Sequence, residues 1–160
     1  MIHNTPTLKE DPFLDEDVCY ERLHRDWEKH GSIVVAVDFD NTVFDLHDKG
    51  YTFPRVWNLL RRCKELGFKI VVFSASPKER HDLIRRYMAD NEVEIDGINC
   101  DVVKWVDRPE LDYSGAKVFY NVLLCDRAGL PSAYKTLLRL VFNIENINWI
   151  QSAPTQDERV

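Results

Sequence analysis

A chain of 160 residues with a formal net charge of −6 is sized for a single hydrophobic core, and it lacks the lysine and arginine surplus that a sequence-independent grip on nucleic acid draws on. Hydrophobic residues make up 44 % and charged residues 30 %, the composition of an ordinary soluble globular protein. No apolar run approaches the length of a membrane span, and the acidic cluster Glu10, Asp11, Asp15, Glu16 and Asp17 is the reverse of a secretory leader, so a cytoplasmic protein without a membrane partner is expected. Cys19, Cys63, Cys100 and Cys125 are scattered with no CxxC pair, which suggests neither a zinc motif nor a redox motif and fits a reducing compartment.

In chain order, residues 1–13 carry Pro6 and Pro12 and read as an extended arm, ahead of one domain over 14–150. Val18, Cys19, Leu23 and Trp27 recur at helical spacing and predict a helix from Asp15 to about Lys29, stopped by Gly31. Residues 33–37 are an unbroken apolar run, rich in valine, and predict a strand buried on both faces. The polar segment 43–53, broken by Gly50, reads as a loop. Pro54 opens a second helix through Gly67, with Val56, Leu59, Leu60, Cys63 and Leu66 inward and Arg61, Arg62 and Lys64 outward. A second buried strand is expected over 68–73, halted by Ser74, Ala75, Ser76 and Pro77.

The next helix, from 77 or 78 to about 90, shows Leu83, Ile84, Tyr87 and Met88 as its apolar stripe. Residues 93–99 are a weak strand, and 101–115 a loop punctuated by Pro109 and Gly115. A fourth strand over 118–124 leads into Cys125, Asp126 and Arg127. Pro131 then opens a helix to about Asn143, with Ala133, Leu137, Leu138 and Val141 inside, and the polar residues 151–160 are expected to be disordered. Strands alternating with helices imply right-handed crossovers and an α/β fold, a three-layer Rossmann-like sandwich with a mainly parallel sheet. Neither GxGxxG nor GxxxxGK[ST] occurs, so no dinucleotide or P-loop fingerprint is present.

Polar groups of complementary kinds end three of these strands. Asp38-Phe39-Asp40-Asn41-Thr42 follows the first, Ser74 the second, and the fourth is entered by Lys117 and left at Asp126. Carboxylates at the C-terminal edge of a parallel sheet stand where open α/β sheets bind ligands, and two of them close together can share a hard cation. The plainer alternatives are a strand end and turn for Asp38 and Asp40, a cap for Ser74 (with Ser76 the better cap), and a solvated lysine for Lys117, against which Lys104 competes. Asp45, His47, Asp48 and Arg127 read as loop and surface residues, and Arg61, Arg62, Lys64, Arg80, Arg85 and Arg86 as solvated helix faces.

The four motifs, DxDxT after an apolar strand, a strand ending in Ser, a Lys, and an apolar strand ending in Asp, resemble those of the haloacid dehalogenase superfamily of phosphohydrolases, over roughly residues 33–130. The resemblance implies Asp38 as the nucleophile that forms an aspartyl-phosphate and Asp40 as the general acid and base. It implies Thr42, Ser74 and Lys117 as groups that bind the substrate phosphate. Mg²⁺ would be held by Asp38, Asp126 and Asp40, the last through its backbone carbonyl. Small members commonly carry an Asp-Asp pair at the fourth motif, where this chain has Cys125-Asp126, and a sulfur there suits Mg²⁺ poorly.

The short spacings between motifs leave no room for a sizeable cap domain, so the site is expected to be open. An open site admits a phosphorylated small molecule or a nucleic-acid end, with Phe44, Tyr51 and Phe53 available to stack on a base. The expected activity is a Mg²⁺-dependent phosphomonoesterase acting on a nucleotide or nucleic-acid terminal phosphate. The alternative is a weak or inactive relative that binds a phosphorylated ligand or a protein partner.

Overall fold

Residues 11–105 and 117–152 are described by the computed structural model. Its centre is β1 (Val34–Asp38), whose first four residues are fully shielded from solvent. On one side β1 pairs in parallel with β2 (Lys69–Phe73), Asp38 lying level with Phe73. On the other it pairs in parallel with β4 (Val122–Leu124), and β3 (Gly97–Ile98) extends the sheet beyond β2. The order β3-β2-β1-β4 is all parallel, as the alternating pattern predicts for an α/β fold.

Helix α1 (Glu16–His30) begins where Asp15 accepts hydrogen bonds from the Asp17 and Val18 N–H groups, at 2.8 and 3.4 Å, and ends at Gly31, whose φ of 66° suits glycine. Helix α2 (Pro54–Glu65) buries Val56, Trp57, Leu59, Leu60 and Cys63. Helix α3 (His81–Asp90), entered through a 3₁₀ turn over Lys78–Arg80, buries Ile84 and Met88, whereas Leu83 of the expected stripe is exposed. Helix α4 (Leu130–Ser152) is longer than its sequence suggests. Beyond Asn143 it gains Ile144, buried in the core, and Glu145, whose carboxylate accepts from Arg62 Nε at 2.9 Å and Nη2 at 2.5 Å. Arg62 is therefore an anchor between α2 and α4 and not part of a solvated face. The polar run expected to be disordered starts helical at Gln151 and Ser152; residues 153–160 and the arm over 1–10 lie outside the described residues.

Every buried helix residue joins one core cluster, on the sheet face that presents Val35, Val37, Ile70, Val72, Val122 and Leu124. The opposite face, Val34, Ala36 and Val71, is covered by Val118 with Val102, Val103, Trp105, Phe119 and Tyr120 packed around it. Among the described residues this second face is covered by extended chain and not by a helix. The segment 118–120, read from sequence as strand, instead lies across this face: the Phe119 N–H donates to Asp101 Oδ1 at 2.7 Å, and its ring meets Trp105 edge-on.

Pairing with β1 resumes at Asn121. Its N–H donates to the Val34 carbonyl (2.9 Å), its Oδ1 accepts from the Val34 N–H (2.7 Å), and its Nδ2 donates to Asp26 (2.9 Å). β3 is likewise shorter than the expected 93–99, because the Val93 N–H is spent on the α3 carbonyl of Met88 at 3.0 Å.

Candidate active site at the switch between β1 and β4

From β1 the chain continues to β2 on one side while β4 lies on the other, so the sheet's topological switch point is the cleft between the C-terminal ends of β1 and β4. Side chains alternate along an extended chain. Phe39 is fully buried in the helical-side core, where it stacks on Phe44 at 5.0 Å and meets Tyr87 edge-on at 5.6 Å. Asp38 and Asp40 flank this anchor.

Just beyond, the backbone closes into a tight loop. The Phe39 carbonyl accepts from the Val43 and Phe44 N–H groups (3.2 and 3.0 Å), and the Asn41 N–H donates to the Phe44 carbonyl (2.7 Å). The turn needs a left-handed residue at Asn41, φ 58°, a conformation asparagine tolerates better than most. Thr42 is fully buried, and its Oγ1 accepts from the Asp126 N–H at 3.0 Å. The hydroxyl expected to hold a phosphate therefore ties the β1 loop to the end of β4. Replacing it by valine removes the acceptor and strands a half-buried N–H. Thr42→Val is expected to cost about 1–3 kcal/mol in urea unfolding, against near-neutral behaviour for Thr42→Ser.

That tie brings Asp126 and Cys125 to Asp38: a carboxylate oxygen from each acid and the Cys125 sulfur all lie within 4.8 Å of one another. Burial pushes the Asp38 carboxyl up to about 6, the hydrogen bond and charge of Asp126 push the same way, the charge of Asp40 adds to them, and the Phe39 N–H opposes. Two acids this close hold on to a proton unless a cation replaces it. Burial also raises the Cys125 thiol, with the Asp38 and Asp126 charges adding to it and the N–H groups of Arg127 and Ala128 opposing. Asp40 Oδ1 is shielded from solvent and has no hydrogen-bond partner among the described residues.

A pH dependence follows for the metal-free protein. A carboxyl raised from 3.8 to about 6 binds its proton more tightly in the folded state, so its stabilisation is complete below about pH 4 and is lost as pH rises through 6. Because Asp38 is only half-buried, the effect is discounted for solvent to about 1 kcal/mol. Melting in chelator from pH 4 to 7 should show wild type losing that much relative to Asp38→Asn; parallel curves would contradict it.

Ser74, at the end of β2, is 9 % exposed. Its Oγ accepts from the Ser76 N–H at 3.0 Å, its N–H donates to Asn99 Oδ1 at 2.9 Å, and its carbonyl accepts from Asn99 Nδ2 at 2.5 Å. Asn99 was not singled out from sequence; its left-handed φ of 50° after a two-residue strand is visible only once β3 is placed. Arg80 Nη1 donates to Ser76 Oγ at 3.3 Å, so Arg80 brings a guanidinium to the β2 loop and is not simply part of a solvated helix face.

Lys117 is exposed and makes no hydrogen bond or ion pair among the described residues, so the structure does not join it to the carboxylates. Of the three aromatics expected to stack on a base, Phe44 and Phe53 pack against the core and Tyr51 is 61 % exposed. Asp45 accepts from the Tyr51 N–H at 3.0 Å. Slight burial raises its carboxyl, but the N–H groups of Lys49, Tyr51, Gly50 and His47 more than offset this and hold it below the usual range, so it shapes the loop. Between Thr42 and Ser74 the chain holds only this loop, α2 and β2. No helix of the described residues is long and apolar enough to cross a membrane.

No family model matches the chain, and no curated protein matches it. A solved structure of a conserved protein coded by a locus of Bacteroides thetaiotaomicron is similar to it, with 16 % identity and a TM-score of 0.51 over 68 % of this chain and 91 % of that one. At that identity the likeness speaks for the fold alone, and with the parallel sheet it makes the chain a Rossmann-like α/β protein.

Proposed function

We propose that the chain is a divalent-cation-dependent phosphomonoesterase of haloacid dehalogenase type, working through an aspartyl-phosphate. The observation that carries the reading is the convergence of Asp38 with Asp126 at the switch point, Asp40 following on the same loop. Asp38 attacks phosphorus through a carboxylate oxygen, and the bond to the leaving oxygen breaks. Asp40 gives that oxygen its proton. Asp40 then takes a proton from water, whose oxygen attacks the same phosphorus, and the acyl–phosphate bond breaks to return Asp38 and release inorganic phosphate. Asp40 Oδ1 makes no hydrogen bond among the described residues, so no protein group there competes for its proton.

Asp38, Asp126 and the Asp40 backbone carbonyl would hold the cation. As oxygen donors they suit Mg²⁺, whereas the neighbouring Cys125 thiol does not. A bound cation offsets the repulsion between the attacking carboxylate and the phosphate dianion. Thr42 serves as the clamp on Asp126, and Ser74 and Lys117 remain the proposed phosphate-binding groups.

The proposed substrate is a nucleotide or nucleic-acid terminal phosphate, because among the described residues no domain is inserted between the β1 loop and Ser74, and the exposed Tyr51 ring offers a base a stacking face. Cys125 favours a second reading, a weak or inactive relative that binds a phosphorylated ligand. Release of phosphate from an aryl phosphate, with and without added divalent cation, separates the two. Cation-dependent release is expected, and its absence favours the second reading.

A further inference from the structure

Asp38, Cys125 and Asp126 gather two carboxylate oxygens and one sulfur around a single point. Magnesium takes oxygen donors in near-octahedral geometry and keeps several waters. Zinc takes carboxylate oxygen at about 2.0–2.2 Å and Cys sulfur at about 2.3 Å, and sites with three protein donors leave a fourth position for water or substrate.

Two features hold this donor set in place. The Ala128 N–H donates to the Cys125 carbonyl at 3.0 Å, and the Asp126 N–H donates to Thr42 Oγ1 at 3.0 Å, so the two ligand-bearing residues after β4 are pinned by their backbones, while Asp38, the third, ends the paired strand β1. Within the set, the sulfur and the two carboxylates come from two different strand ends, β1 and β4, so the fold and not chain proximity alone brings the three donors together.

We propose that this site selects a borderline, thiophilic divalent ion, Zn²⁺ first, over Mg²⁺, with Cys125 Sγ as a direct ligand. The inference builds on the phosphomonoesterase reading for its use, but its test reads metal binding alone. On binding, the Cys125 S–H bond breaks, the proton passes to solvent, and the sulfur electron pair forms the bond to the metal.

The test uses the full chain, stripped of metal, titrated with Co²⁺ as a spectroscopic stand-in and then challenged with Zn²⁺ and Mg²⁺. A thiolate-to-cobalt charge-transfer band is expected in wild type and in Cys100→Ser, and not in Cys125→Ser. Losing even an outer-shell partner costs a metal site about 10- to 100-fold in affinity. Zn²⁺ affinity should therefore fall by at least that factor in Cys125→Ser and in Asp126→Asn, with melting curves showing both variants folded. Cys125→Asp should raise affinity for Mg²⁺. A band absent from wild type, a band that survives in Cys125→Ser, or Mg²⁺ displacing Co²⁺ at equal concentration would overturn the inference. A protein that binds Co²⁺ through Cys125 yet shows no Asp38-dependent hydrolysis would uphold it while removing the phosphatase reading.

Discussion

Asp38→Asn is expected to lower cation-dependent release of phosphate by on the order of 10⁴-fold or more, without lowering the melting temperature. An amide oxygen is a poor nucleophile and cannot form the acyl-phosphate, and removing a nucleophile abolishes most of the rate in enzymes that depend on one. The substitution is nearly isosteric. It also removes the charge that Asp126 and Asp40 crowd, so near neutral pH the fold should hold or gain stability. Lost activity with retained stability marks a chemical role. Loss of both would mark a structural one, and unchanged turnover would exclude Asp38 as the nucleophile.

Phe39→Ala should be among the most damaging single substitutions for stability, at about 3–5 kcal/mol. The ring is fully buried, stacked on Phe44 and edge-on to Tyr87, and its carbonyl closes the loop that presents Asp40. Truncation leaves a cavity beneath both carboxylates, and total stabilities run only to about 5–15 kcal/mol. The measurement is a shift of the urea midpoint at constant slope. Phe39→Leu, which keeps most of the volume, should cost about 1.5 kcal/mol or less. An alanine variant that unfolds like wild type would mean that the loop is held by other contacts.

Much of this frame is legible in the residues. An unbroken valine-rich run predicts a doubly covered strand, and β1 is one. Asp15 and Gly31 bracket α1 through local hydrogen bonding and local conformational freedom, which a sequence displays directly. Asp38 closes β1, and Asp40 and Asp126 come two residues after β1 and β4, so placing those strands places the acids too.

Features that depend on partners far along the chain were not legible. β4 starts only at Val122, just past Asn121, whose side-chain amide bridges β1 and α1, whereas the apolar residues before it look like more strand and instead cover the second sheet face. The end of α4 is set by Ile144 and the Arg62–Glu145 pair, long-range contacts that no local pattern announces. Thr42 illustrates the same point within the site, since its acceptor role depends on a backbone N–H 84 positions away. Phe44 looked available for ligand stacking and is spent on Phe39, an economy visible only in three dimensions.

The central claim is that Asp38 carries the phosphoryl group, and trapping that species tests it most directly. Protein turning over an aryl phosphate with Zn²⁺ or Mg²⁺ is quenched in acid, digested and mapped by mass spectrometry. The account expects one phosphoryl group on the peptide carrying Asp38, more of it in Asp40→Asn, where the leaving group departs unaided but the water lacks its base, and none in Asp38→Asn. Steady turnover with no phosphoryl group on that peptide in either wild type or Asp40→Asn would contradict it.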